Sequence, residues 1–175
     1  MTVEESFSAS AVVEPLSSRH DVAPFDCGKH ESLNQWLRRF ALINQRNDTS
    51  RTYVIHRDWS VVGYYSIAAG SVSRDSVPER IAKGLAAHPI RTALVTRLAI
   101  DKSCQGRGLG QALLRNAFFR VEQAANILGI RAVVVHAIDQ EAADFYRHFG
   151  FESSPIDDLR LVVLLKDVRE ILRRR

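Results

Sequence analysis

Between Arg97 and Leu128 the chain sets out residues whose types and spacing suit the grip of a phosphate. A short apolar run, Arg97-Leu98-Ala99-Ile100-Asp101, leads into Gln105-Gly106-Arg107-Gly108-Leu109-Gly110, and an amphipathic stretch follows to Leu128. Glycines this close together leave successive backbone N–H groups with no Cβ in front of them. At the start of a helix those N–H groups lie at the positive end of its dipole and attract an anion. The strand ahead of the loop offers an edge on which an extended ligand can hydrogen-bond. Spacing excludes two other phosphate loops. A P-loop needs a Lys-Ser/Thr pair after its last glycine, and none follows here. The dinucleotide fingerprint G-x-G-x-x-G is not matched, because Gly106, Gly108 and Gly110 alternate. A glycine-rich turn that only caps a helix is the plain alternative.

The elements that must hold this loop follow from periodicity. Ala11 to Leu16 reads as a short first strand, with Pro15 suiting a sheet edge, and residues 24 to 28 as a loop. From Lys29 to Arg46, Leu33, Trp36, Leu37, Phe40 and Ala41 recur at helical spacing, with Arg38, Arg39 and Arg46 opposite. Thr52 to Arg57 and Val61 to Val72 read as two strands joined by a hairpin at Asp58-Trp59-Ser60. Pro78 suits the first turn of a short helix ending near Leu85, and Ala93 to Ile100 is the central strand. The helix after the loop is expected to bury Leu109, Leu113, Ala117 and Val121, with Leu128 beside them and Gly129 as its stop. Arg131 to Ala137 contains a β-branched run typical of a fully buried strand. A short helix from Glu141 to Phe149, a polar loop over 152 to 160 and a strand from Leu161 to Leu165 follow. A final helical turn from Val168 to Leu172 opens a basic tail over 168–175. The alternation predicts one mixed α/β domain over residues 1–175, with residues 1–10 mobile.

Composition narrows the class. At 175 residues the chain is long enough for one full core and short for two. The polar, acidic start MTVEESFSAS lacks the features of a signal peptide, and no apolar run approaches the roughly 20 residues of a membrane span. Cys27 and Cys104 show neither a disulfide framework nor metal-ligand spacing, so no metal is expected. A cytoplasmic protein is the simplest expectation. The net charge of +4 is unevenly spread. Cys27 to Arg57 holds six Lys/Arg against two acids, and Arg74 to Arg97 five against two. Such patches attract polyanions, although a solvated surface needs no partner.

The glycine stretch resembles the Q-x-x-G-x-G/A loop of the GNAT acetyltransferase superfamily, with Gln105, Gly108 and Gly110 in the key places. That resemblance implies a mostly antiparallel central sheet flanked by helices on both faces. It also implies that Gln105, Gly106, Arg107, Gly108, Leu109 and Gly110 hold the pyrophosphate of acetyl-CoA. Leu98, Ala99 and Ile100 would then pair with its pantetheine arm. Ala143-Asp144-Phe145-Tyr146-Arg147-His148-Phe149-Gly150-Phe151 resembles the A-x-x-F-Y-x-x-x-G-F segment of the same enzymes, where the tyrosine acts as general acid toward the coenzyme sulfur. Tyr146 takes that role by resemblance, and an ordinary phenol pKa of about 10 suits a donor to a thiolate. His136, in an apolar strand, and His88, before Pro89, are weaker candidates for a base.

Further blocks narrow the resemblance. They are Phe25-Asp26-Cys27-Gly28, Leu33-x-x-Trp36-Leu37, Val62 to Ser71, His88-Pro89-Ile90, Arg97 to Asp101, Gln105 to Gly110 and Val134 to Ala137. Together they are similar to the GNAT toxins of type II toxin–antitoxin modules over nearly the whole chain. The family implies acetylation of the α-amine of charged tRNA, a block on translation, a small ribbon-helix-helix antitoxin and a homodimer. An α-amine titrates near 7.7–8.0, so much of it is neutral at cytoplasmic pH, whereas lysine at about 10.4 needs a strong base. No glutamate stands at a base position, which favours the α-amine. Arg38, Arg39, Arg46 and Arg91 are the expected tRNA contacts. Two other readings stay open: acetyl transfer to a protein N-terminus or small amine, and a non-enzymatic partner in a DNA-bound repressor complex.

Overall fold

The computed structural model describes residues 12–174; the first ten residues, Ala11 and Arg175 lie outside it. Its elements run β1 (Glu14–Pro15), α1 (Glu31–Arg39), α2 (Ala41–Arg46), β2 (Arg51–Arg57), β3 (Ser60–Val72), α3 (Glu79–Ala82) and β4 (Ile90–Ile100). They continue with α4 (Leu109–Ala124), β5 (Ala132–His136), α5 (Gln140–His148), β6 (Glu152–Ser154), β7 (Asp157–Leu164) and α6 (Leu165–Arg173). The strands form one mixed, mostly antiparallel sheet of seven in the order β1-β2-β3-β4-β5-β7-β6, with β4 and β5 parallel. Pro15 sits on the edge strand, as its missing N–H requires.

The chain divides into two compact units, Met1–Ser66 with Arg97–Asn116, and Ile67–Thr96 with Ala117–Arg175. In the first, Phe25, Trp36, Leu37, Val54, Tyr64 and Ala99 belong to one buried cluster. Burying each large apolar side chain contributes roughly 1.5–3 kcal/mol. Tyr64 takes its hydroxyl inside because Leu33 supplies a carbonyl acceptor at 2.8 Å. In the second, Ile81, Ile90, Ala132, Val134, Val162 and Leu164 share a cluster.

Several elements differ from expectation. The helix from Lys29 breaks at Phe40, which is 50% exposed rather than core. The break re-aims α2, so that Gln45 donates to the Leu16 carbonyl at 2.7 Å and accepts from the Thr52 N–H at 3.0 Å. Helix α4 buries Leu109, Leu113, Ala117 and Val121 as expected but ends at Ala124, and Leu128 is 62% exposed. There the ladder tightens to Asn126 N–H on Gln123 and Ile127 N–H on Ala124, the three-residue step that commonly closes a helix. The expected polar loop at 152 to 160 is instead the β6–β7 hairpin. Its polar half lies beyond the buried Leu161–Leu164 run and so carries no hydrophobic period. Residues 168–173 continue α6 rather than forming a tail.

Candidate active site

Strand β4 supplies the first part of the site. Its parallel register with β5 runs from Thr92↔Ala132 to Val95↔Val135, and Arg97–Ile100 extend beyond it. A one-turn 3-10 helix, Lys102–Cys104, then delivers the chain to the glycines. Gly106 and Gly108 take φ of +75° and +79°, the left-handed region that a side chain resists. No heavy atom lies within 4 Å of where a Cβ would sit at either, so the space before them is open. Next come the first-turn N–H groups of α4, at Leu109, Gly110 and Gln111, which have no acceptor inside the helix. Open space, turned backbone and the positive end of a 16-residue helix fit a diphosphate.

The loop is braced rather than loose. The Gln105 amide donates to the Ile100 carbonyl at 3.0 Å and to the Cys27 carbonyl at 2.8 Å. Its side chain therefore holds the loop, which leaves the backbone to meet a ligand. Asp26 extends the brace. It pairs with Lys102 at 2.9 Å, while its N–H donates to the Asp101 carboxylate at 2.9 Å. Lys102, and secondarily the Gly28 N–H, hold the Asp26 carboxyl down to about 2. Neither Asp26 nor Asp101 was expected at the site, although both fall within the sequence blocks that carry the resemblance.

In the same unit Arg97 lays its guanidinium over the Trp36 ring, 4.3 Å from the centroid. Trp36 in turn stacks on Tyr64 at 6.0 Å and 11°. Sequence reasoning did not single out Arg97, because its surroundings arise only when β4 meets α1.

Tyr146 belongs to the other unit, on α5, whose N-terminus Asp139 caps by accepting from the Ala142 N–H at 2.8 Å. The ring is 5% exposed and edge-on to Phe145 and Phe151, with centroids 5.2 and 5.4 Å away. Its hydroxyl makes no hydrogen bond among the described residues, and burial pushes the phenol pKa well above its ordinary value. His136 ends β5 and is exposed rather than core. Desolvation first, then repulsion from Arg160, pull its pKa down.

The expected tRNA contacts fare differently. Arg39 and Arg46, on α1 and α2, are exposed with no ion pair among the described residues. Arg38 is engaged, donating to the Phe25 carbonyl and lying 3.4 Å from Glu31. Arg91, in the second unit, lines a cavity of about 360 Å³ with His88 and Arg131.

A grouping of Glu14, His20 and His56 places its ligand atoms within 4.8 Å of one another. The Ser17 and Trp59 N–H groups donate to Nδ1 of His20 and His56, at 3.0 and 3.1 Å. Each proton therefore sits on Nε2 and points at Glu14 Oε1, 2.8 and 2.7 Å away. A metal needs those Nε2 lone pairs and an acceptor behind Nδ1, which is the reverse arrangement. The cluster is a hydrogen-bonded clamp on the N-terminal segment.

The family model for the acetyltransferase (GNAT) domain matches residues 48–153. The chain belongs to the GNAT acetyltransferases. It is 45% identical to the tRNA-acetylating toxin of Mycobacterium tuberculosis, over 90% of this chain and 93% of the relative. AtaT complexed with acetyl-methionyl-tRNAfMet superposes with a TM-score of 0.85 at 29% identity, covering 91% of this chain and 98% of that one. A mutant AtaT bound to the C-terminus of the antitoxin AtaR and acetyl-CoA superposes at 0.80 with 28% identity, covering 93% and 98%. Seen beside these GNAT proteins, the open glycines and bare α4 N-terminus are the parts of this chain suited to a coenzyme diphosphate.

Proposed function

We propose that the chain is a toxin that transfers acetyl from acetyl-CoA to the α-amine of aminoacyl-tRNA and thereby blocks translation. One observation carries the reading. Strand β4 outruns its pairing with β5 and feeds directly into open, left-handed glycines and the start of α4. The 45% identity to a tRNA-acetylating toxin supports the choice of acceptor.

In this reading the coenzyme diphosphate lies on the N–H groups of residues 106–110, and the pantetheine arm runs along Leu98–Ile100. A main-chain N–H near Leu98 or Ala99 polarises the thioester carbonyl. The neutral α-amine attacks that carbon, so a C–N bond forms, and the C–S bond breaks as the intermediate collapses. The nitrogen gives up its extra proton to solvent. Tyr146 donates a hydrogen bond to the departing sulfur. Arg39, Arg46 and Arg91 meet the tRNA backbone, with Arg38 holding the loop at Phe25. A small ribbon-helix-helix antitoxin neutralises the toxin, which acts as a cytoplasmic homodimer. No helix among the described residues is long and apolar enough to cross a membrane.

The test is to incubate the protein with labelled acetyl-CoA and total charged tRNA, then digest the RNA and identify labelled nucleosides. Label on the amino group of an aminoacyl-adenosine is expected. Label confined to ribosomal proteins or small amines would overturn the choice of acceptor.

A further inference from the structure

Arg97 occupies an unusual position for a cation. It is half-buried on β4, its charge lies 4.3 Å over Trp36, and it has no carboxylate or hydrogen-bond acceptor among the described residues. Burial pulls its pKa below the ordinary arginine value, with the Tyr64 phenol the only group acting against that shift. Arg39, Arg46 and Arg91 also lack an acid partner among the described residues but are exposed to solvent, whereas Arg51 pairs with Asp48, Arg80 with Glu152 and Asp167, and Arg147 with Asp144. A partly desolvated cation without a counter-ion costs stability. Stacking on Trp36 recovers some of that through a cation–π contact and fixes the plane of the guanidinium. The stack uses the face of the group and leaves its edge N–H donors bare, which is the fork that matches a phosphate.

The position along the strand says which phosphate. Arg97 stands about 10 Å upstream of Ile100, counted at strand rise, away from the glycine loop. The coenzyme diphosphate already has the glycine loop and the α4 N-terminus. We infer that Arg97, laid flat on Trp36, binds a phosphodiester beside the terminal nucleotide of the acceptor and so sets the aminoacyl end against the acyl donor. This rests on the reading of the chain as an aminoacyl-tRNA acetyltransferase.

The experiment compares wild type, Arg97→Gln and Arg97→Lys in acetyl transfer to two acceptors. One is charged tRNA; the other is aminoacyl-adenosine, which has the same ester and no phosphate. Arg97→Gln is expected to raise KM for charged tRNA about ten- to a hundred-fold, the range for one charge-assisted hydrogen bond. The slope of log KM against log salt should fall by about 0.7–0.9, the share of one phosphate. KM for aminoacyl-adenosine and Kd for acetyl-CoA should stay within about twofold. Arg97→Lys keeps the charge, so it should keep the wild-type salt slope while recovering only part of KM. If the glutamine variant does not fold, the lysine variant decides through KM, which should rise for charged tRNA and stay within about twofold for aminoacyl-adenosine. Equal losses on both acceptors, weakened acetyl-CoA binding, or an unchanged KM for charged tRNA would each overturn the assignment. A wild type that leaves charged tRNA unacetylated overturns the underlying reading instead.

Discussion

At the scale of single residues, Tyr146 shows how burial refines a role that a motif suggests. A thiolate leaving group has a pKa near 8.5, and an ordinary phenol about 10. Burial among Phe145 and Phe151 lifts Tyr146 further, so complete transfer of its proton to sulfur is uphill. In the proposed reaction the buried phenol stays protonated and presents a hydrogen bond to charge developing on the sulfur. Removing one such donor typically costs about 10²–10³ in rate. Tyr146→Phe is therefore expected to lower kcat by roughly that factor while leaving Kd for acetyl-CoA nearly unchanged. The wild-type rate should rise with pH as the amine deprotonates, with no fall from Tyr146 below about pH 10. Single-turnover kinetics across pH 6–10 read both; a turnover number equal to wild type would remove Tyr146 from the chemistry. The turned glycines and the helix that carries Tyr146 could be anticipated from local pattern, whereas the role proposed for Tyr146 came from the resemblance alone. Arg97 could not be anticipated, since nothing within its own stretch says that no acid will face it.

At the scale of elements, the glycine loop owes its placement to a neighbour far away in sequence. The Phe25–Gly28 turn reaches it through Asp26, Cys27 and Gln105. Asp26 is the pivot: one oxygen takes Lys102, and the other accepts from the Gly28 N–H at 2.8 Å and the Asn34 amide at 3.1 Å. Its folded pKa of about 2 lies below the unfolded value near 3.9. The unfolded chain therefore binds the proton more readily. The contribution is complete above the unfolded value and is lost as pH falls through about 2. Asp26→Asn should produce at neutral pH the loosened loop that acid produces in wild type. The expected result is weaker acetyl-CoA binding by calorimetry, with the acid-unfolding curve losing its component between about pH 4 and 2. Identical affinity and superimposable acid curves would show that the brace does not order the loop. Periodicity anticipated β2 to β5 and the buried face of α4, where one period persists. It failed at Phe40, at the end of α4 and at β6, where a polar tertiary contact, a tightened last turn or a strand partner decides.

At the scale of the whole molecule, a net charge of +4 does not say which positive groups are paired and which are free to meet a polyanion. Arg51, Arg80, Arg147 and Lys102 are each paired with a carboxylate, and Arg38 is tied to Phe25 and Glu31. Composition counts all of these equally; only the fold separates them from Arg39, Arg46 and Arg91, which have no acid partner among the described residues. These three are therefore available to attract a polyanion. The variant Arg39→Glu with Arg46→Glu and Arg91→Glu is expected to weaken binding of charged tRNA and to flatten its salt dependence. Each lost phosphate contact should remove about 0.7–0.9 from the slope of log K against log salt. Acetyl-CoA affinity and transfer to aminoacyl-adenosine should be unchanged, because neither ligand spans the surface. Gel-shift titrations over a salt series separate this from Arg97, whose loss raises KM for charged tRNA with the peripheral arginines intact. If the triple variant binds charged tRNA with the wild-type slope, the tRNA backbone lies elsewhere, and the exposed arginines do no more than keep the protein soluble.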